Sequence, residues 1–222
     1  MTGLGHVSSG GAPLVVRLSP TVWLTKLSVG PMDNNAYLLS SSSGATLLVD
    51  AANDADRILG LVGTDRKLDA IVTTHRHQDH WQALSDVQSA TSAALVAGRP
   101  DVDAIATGAW VENVLGVWDG DEVTLGPESL EVIGLVGHTP GSIALVYRSP
   151  DGISHLFTGD SLFPGGPGKT TTPTDFSSLM DDLETKIFGQ FDDATQVHPG
   201  HGDDTTLGRE RPHLAAWRSR GW

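Results

Sequence analysis

The chain has 222 residues, 39% of them hydrophobic, which suits one large domain with enough apolar mass for a core. Acidic residues outnumber basic ones 27 to 14, a formal charge of −13, which argues against nucleic acid, whose recognition needs clustered Lys and Arg, and against an anionic membrane surface. There is no cysteine, which excludes a disulfide framework, thiolate ligands and thiolate nucleophiles, and no apolar run approaches the ~20 residues of a membrane span.

In chain order, Met1 to Ala12 is rich in Gly and Ser and lacks a basic-then-apolar signal, so it reads as a flexible arm of a cytoplasmic protein, with residues 13–222 as one domain. Leu14–Leu18, Val22–Leu27, Ala36–Leu39 and Ala45–Val49 read as strands, the last two joined by Ser41-Ser42-Ser43-Gly44. Asp54–Val62 has helical spacing with Asn53 available as a cap, Leu68–Val72 is a short buried strand, and Gln82–Ala90 is helical. Val123–Leu125, Leu130–Val136, Ile143–Tyr147 and His155–Phe157 read as strands, Phe176–Phe188 as a helix capped by Asp175, Gln196-Val197 as a last strand, and Leu214–Trp217 as a closing helix. Strand runs followed by a helix, twice over, predict two packed sheets with helices outside.

Four short stretches carry nitrogen and oxygen donors for two cations: Thr74-His75-Arg76-His77-Gln78-Asp79-His80, Gly137-His138-Thr139-Pro140-Gly141-Ser142, Phe157-Thr158-Gly159-Asp160 and Pro199-Gly200-His201-Gly202. His75 and His77 are two apart after a strand, so extended backbone aims both to one side. Asp79 and His80 follow where the chain turns toward the next helix. His138 and His201 sit in loops of small and rigid neighbours, and Asp160, with two carboxylate oxygens, can bridge two cations. A dinuclear site makes a nucleophile from water at neutral pH, which points to a hydrolase. His198 lies near the donor set, whereas His6, His155 and His213 read as structural or exposed, His155 most simply as a surface residue.

With these motifs the chain resembles the metallo-β-lactamase fold superfamily and, within it, glyoxalase II (hydroxyacylglutathione hydrolase), from about Asn34 to His201. The resemblance implies an αββα sandwich of two mixed sheets with helices on the outer faces and the site at one sheet edge. It assigns His75, His77 and His138 to one metal, Asp79, His80 and His201 to the other, and Asp160 to both, with Asp79 also orienting the attacking water. Asp50, closing Leu47-Leu48-Val49-Asp50, matches a buried aspartate beneath the ligand loop, although a turn cap would also explain it. Gly165-Gly166-Pro167-Gly168-Lys169 resembles a segment whose basic residue contacts the substrate carboxylate, which makes Lys169 a substrate-binding candidate.

Histidine and carboxylate donors suit zinc, iron or manganese; zinc is the expected ion, two per chain. Only 21 residues follow His201, leaving no room for the helical domain with which glyoxalase II adds glutathione contacts, so the thiol carrier of a small-molecule thioester is left open. Lactonases of the same fold share the seven ligands, and persulfide dioxygenases use the fold with one iron. The oligomeric state is not legible.

Overall fold

The structure, a computed structural model, describes residues 5–65 and 67–221. Strands β1 (Leu14–Arg17), β2 (Val22–Val29), β3 (Asn34–Ser41) and β4 (Thr46–Val49) form an antiparallel meander. The chain then switches to helix-linked crossover units: α1 (Ala55–Val62), β5 (Ala70–Thr73), α2 (Leu84–Thr91), β6 (Ala94–Gly98), α3 (Val102–Ala109) and β7 (Val114–Val117), with β4 to β7 parallel. These seven strands lie in sequence order in one mixed sheet. The second sheet contains β8 (Glu122–Leu125), β9 (Glu128–Gly134), β10 (Ile143–Arg148) and β11 (Ser154–Gly159). A small hairpin of β12 (Leu162–Phe163) and β13 (Gly166–Pro167) precedes α4 (Pro173–Asp182), and β14 (Gln196–Pro199) and β15 (Thr205–Thr206) complete the second sheet in the order β15-β14-β11-β10-β9-β8. Helices α5 (Leu207–Glu210) and α6 (Leu214–Arg220) end the chain.

Period-two alternation decides which side chains go where. Leu47, Val49, Val72 and Val96 point inward against Leu130, Val132, Leu145 and Phe157 of the second sheet. Their neighbours Leu48, Ile71 and Leu95 point outward onto Ile58, Leu84, Val87 and Ile105 of α1 to α3. On the far side, Ala144, Val146, Leu156 and Val197 pack under Leu179, Met180, Leu183 and Trp217. The result is helix, sheet, sheet, helix, as expected.

Several details differ from the sequence reading. The N-terminal segment is docked from Gly5 on: Val7 is buried, and Arg57 Nη2 donates to the Gly11 carbonyl over 2.6 Å; the first four residues of the predicted arm lie outside the described residues. Helix α1 begins after Asp54, which stands at φ 50 and gives its carboxylate to Gly30 N instead of capping. Helix α4 is capped by Thr172, not Asp175, because Pro173 fixes the first turn; Asp175 N donates to Thr172 Oγ1, which donates back to the Asp175 carboxylate. The helix then runs into one π turn over Leu183–Phe188. β6, α3 and β7 were not expected from the sequence. Among the described residues, no helix is long and apolar enough to cross a membrane.

Candidate metal centre

All the donor-bearing loops emerge at one edge of the two sheets. β5 ends at Thr73, and the chain is caught there by Asp50, buried at φ 58 just beyond β4. Asp50 Oδ1 accepts from Thr74 N (2.7 Å), and its Oδ2 accepts from Thr74 Oγ1 (2.8 Å) and faces His80 Nδ1 (2.8 Å). One carboxylate therefore pins both ends of the Thr74–His80 segment. A Cβ on Gly159, which has φ +48, would lie 2.6 Å from Thr74 Oγ1, so only glycine lets the Asp160 loop approach this closely.

The hydrogen-bond partners on the outer side of each ring fix where its free lone pair points. His80 Nδ1 donates to Asp50, His138 Nδ1 to the Lys169 carbonyl (2.6 Å) and His201 Nδ1 to the Met32 carbonyl (2.9 Å). Thr74 Oγ1 is already spent as a donor to Asp50, so it accepts from His75 Nδ1 (3.1 Å). In the neutral rings each of these Nε2 atoms is an acceptor, and they converge. His75 Nε2 lies 3.2 Å from His138 Nε2 and 3.1 Å from His77 Nδ1, which is 2.9 Å from His138 Nε2. At most one of those three atoms, His77 Nδ1, can carry a hydrogen, so this trio cannot satisfy itself.

A second trio stands beside it. Asp79 Oδ2, held by Asn34 Nδ2 (3.0 Å), is 3.2 Å from His201 Nε2, which is 3.2 Å from His80 Nε2. Asp160 lies between the trios, with Oδ2 3.6 Å from His138 Nε2 and 3.4 Å from His201 Nε2, and Oδ1 3.3 Å from His80 Nε2. Asp160 Oδ1 is buried without a hydrogen-bond partner among the described residues, a deficit of ~1–3 kcal/mol unless a cation meets it. Groups of three donors that could hold an ion are His75, His77 and His138; Asp79, His80 and His201; and His75, His80 and Asp160. Orphaned acceptors facing one another are what a divalent cation satisfies, so the donor set fits such an ion.

Protonation follows the same division. Burial pushes His75, His77 and His138 below their ordinary value, and neighbouring rings add to this. Burial also opposes charge on His80, but Asp50 and Asp160 outweigh it and push it up to about 10. His201 is likewise disfavoured by burial yet raised to about 10 by Asp160 and Asp79. His201 holds the Asp79 carboxyl below the usual range, and His201 and His80 do the same for Asp160 against the effect of its burial. The carboxylates draw positive charge into this half of the cluster, whether as protons or as a cation.

The structure thus brings His75, His77, Asp79, His80, His138, Asp160 and His201 into one cluster, with Asp50 beneath it. Lys169 reaches it through its carbonyl, while its side chain is exposed. His155 is not a surface residue: at 7% exposure it stacks on His198, since it lies two residues from the inward-facing Phe157 and so on the same face of its strand. Sequence reading missed Asn34, the Met32 carbonyl and Asp101. Asn34 had one available signal, its place at the turn into β3, where it bridges His201.

Comparison with known proteins agrees with this fold. A family model described as the metallo-beta-lactamase superfamily matches residues 29–201. The hydroxyacylglutathione hydrolase of Fuscovulum blasticum is 37% identical over 138 residues, 62% of this chain and 51% of the relative, so the chain spans about half of that protein's length. Hydroxyacylglutathione hydrolase GloC of Haemophilus influenzae is 27% identical over 206 residues, 83% of this chain and 93% of the relative. The crystal structure of TTHA1623 in a di-iron-bound form superposes with a TM-score of 0.68 at 30% identity, covering 84% of this chain and 96% of that one. With the αββα architecture and a His/Asp cluster fit for divalent ions at the sheet edge, the chain belongs to the metallo-beta-lactamase superfamily.

Proposed function

We propose that the chain is a dinuclear metal-dependent hydrolase of small-molecule thioesters, similar in chemistry to the hydroxyacylglutathione hydrolases it resembles. The observation that carries this reading is the pair of donor trios on either side of Asp160, a carboxylate oxygen of which stands within 3.6 Å of a histidine from each. His75, His77 and His138 would hold one ion, Asp79, His80 and His201 the other, and Asp160 both. Two such ions supply a nucleophile from water near neutral pH and polarise the carbonyl under attack. Zinc is our choice of ion, with iron and manganese suited to the same donors.

The chain's own residues do the rest. Asp79, steadied by Asn34, would orient the attacking water. Asp50 fixes the tautomer of His80 and with it the aim of Nε2. Lys169, exposed beside the His138 loop, offers an ammonium to a substrate carboxylate. The presence of the second trio favours two ions over the single iron of a dioxygenase.

The test is elemental analysis of protein purified with metal supplementation, followed by a panel of thioesters, esters and homoserine lactones. Two ions per chain and turnover of a thioester are expected. A firm value of one ion, with oxygen uptake on a persulfide, would replace the hydrolase reading, and turnover of lactones alone would replace the thioester.

A further inference from the structure

The two trios are anchored to different parts of the molecule. Asp101, fully buried at the start of α3, accepts from Arg76 N (3.0 Å), Gly141 N (3.0 Å) and Thr139 Oγ1 (2.5 Å). It therefore ties the segment bearing His75 and His77 to the loop bearing His138. That loop is seated directly on it: a Cβ on Gly141 would lie 2.5 Å from Asp101 N.

The His201 loop is anchored from the opposite side. Lys26, 1% exposed on the inner face of β2, donates to the Gly202 carbonyl and to Asp204 Oδ1, each over 2.7 Å. Asn35 Nδ2 donates to the carbonyls of Pro199 (2.9 Å) and Gly202 (3.1 Å), and Tyr37 OH donates to that of Pro199 (2.6 Å). Asp204 keeps its other oxygen for His198 Nδ1, 3.0 Å away. Glycines on both sides of His201 leave its backbone little intrinsic direction, so the direction has to be imposed by these contacts.

We infer that Asp101 and Lys26 are positioning residues, each for one ion: Asp101 for the ion of His75, His77 and His138, and Lys26 for the ion of Asp79, His80 and His201. The inference rests on the dinuclear reading above. A buried ammonium–carboxylate pair contributes little net stability against a well-packed apolar replacement, so Lys26 is better explained by what it holds than by the stability it adds.

The experiment is stepwise cobalt(II) titration of the metal-stripped full chain, read by calorimetry and by hyperfine-shifted ring N–H resonances that assign each step to its histidines. Lys26→Met should weaken only the step assigned to His80 and His201, by roughly 10–100-fold, the range for partners of metal ligands. Asp101→Asn should weaken only the step assigned to His75, His77 and His138 by a similar factor. Thr139→Val, which removes one of Asp101's donors, and Lys26→Gln serve if the first variants do not fold. Equal weakening of both steps by either variant, or no weakening, overturns the inference while leaving two-ion binding intact. Saturation at one cobalt ion per chain in the unmodified protein overturns the dinuclear reading itself.

Discussion

His198 and His201 lie on the same strand-to-loop segment, yet their rings sit in different chemistry. His198 Nδ1 faces Asp204 Oδ2 at 3.0 Å, and its Nε2 faces His155 Nδ1 at 3.2 Å, with the two rings stacked 10° from parallel. Each donor there meets an acceptor, so the His155–His198–Asp204 chain closes without help. His201, three residues on, turns its Nε2 toward two carboxylates and toward His80 Nε2, an arrangement that closes only when a proton or a cation is drawn in. A count of buried imidazoles would treat the two clusters alike. What separates them is whether the lone pairs are already spoken for.

The widest contrast should come from breaking one member of each. Asp160→Ala removes the carboxylate common to both trios, so elemental analysis should find both ions lost and turnover abolished, whereas His155→Leu should retain both ions and cost within about 2 kcal/mol of stability, measured by urea unfolding. Equal metal loss from both would erase the distinction. Next, Asp50→Asn leaves the ligands in place but loosens the aim of His80; metal affinity should fall roughly 10–100-fold in a competition titration with a chelator.

Metal removal gives a third measure. Each ion at ~100 times its Kd stabilises the folded state by ~2.7 kcal/mol, so chelation of both should lower Tm by roughly 10–20 °C for a chain of this size. The decrement should be the same in His155→Leu and absent in Asp160→Ala.

The self-contained cluster has its own pH signature. Burial, with help from His198, pushes His155 down to about 4. Folded His155 then stays neutral while the unfolded residue takes a proton below ~6.5. The unfolded state binds more protons over that interval, so this group makes stability rise with pH from about 4 to ~6.5. His155→Leu should flatten that limb in urea titrations taken at successive pH values. The smallest effect is expected at the rim. Lys169→Ala keeps the carbonyl that holds His138 and removes only an exposed ammonium, so KM for an anionic thioester should rise about two- to five-fold, as for an exposed ion pair. Its kcat should hold, because the contact is equal in ground and transition states.

The donor residues were legible because each ligand motif is local: a strand end, a turn of small residues and a donor at fixed spacing. The sandwich was legible because Leu47-Leu48-Val49 and its partners alternate cleanly. The braces were not. Asp101 follows Gly98-Arg99-Pro100, a run that reads as an exposed turn, and its burial exists only because the His138 loop, about 40 residues later, closes over it. Lys26 sits in a strand whose pattern would accept it equally on the outer face, and only the returning Gly202 and Asp204 make an inward lysine tolerable. β6, α3 and β7 escaped notice because Ala-rich and Gly-containing segments such as Ala94-Leu95-Val96-Ala97-Gly98 carry little periodic contrast.

Two of the histidines, His138 and His201, take their orientation from carbonyl groups, those of Lys169 and Met32, whose own side chains are exposed at the mouth of the site. Any residue but one that distorts the loop supplies the same carbonyl. Substitution at positions 32 and 169 should therefore change the side chains around the cluster while leaving His138 and His201 aimed as they are.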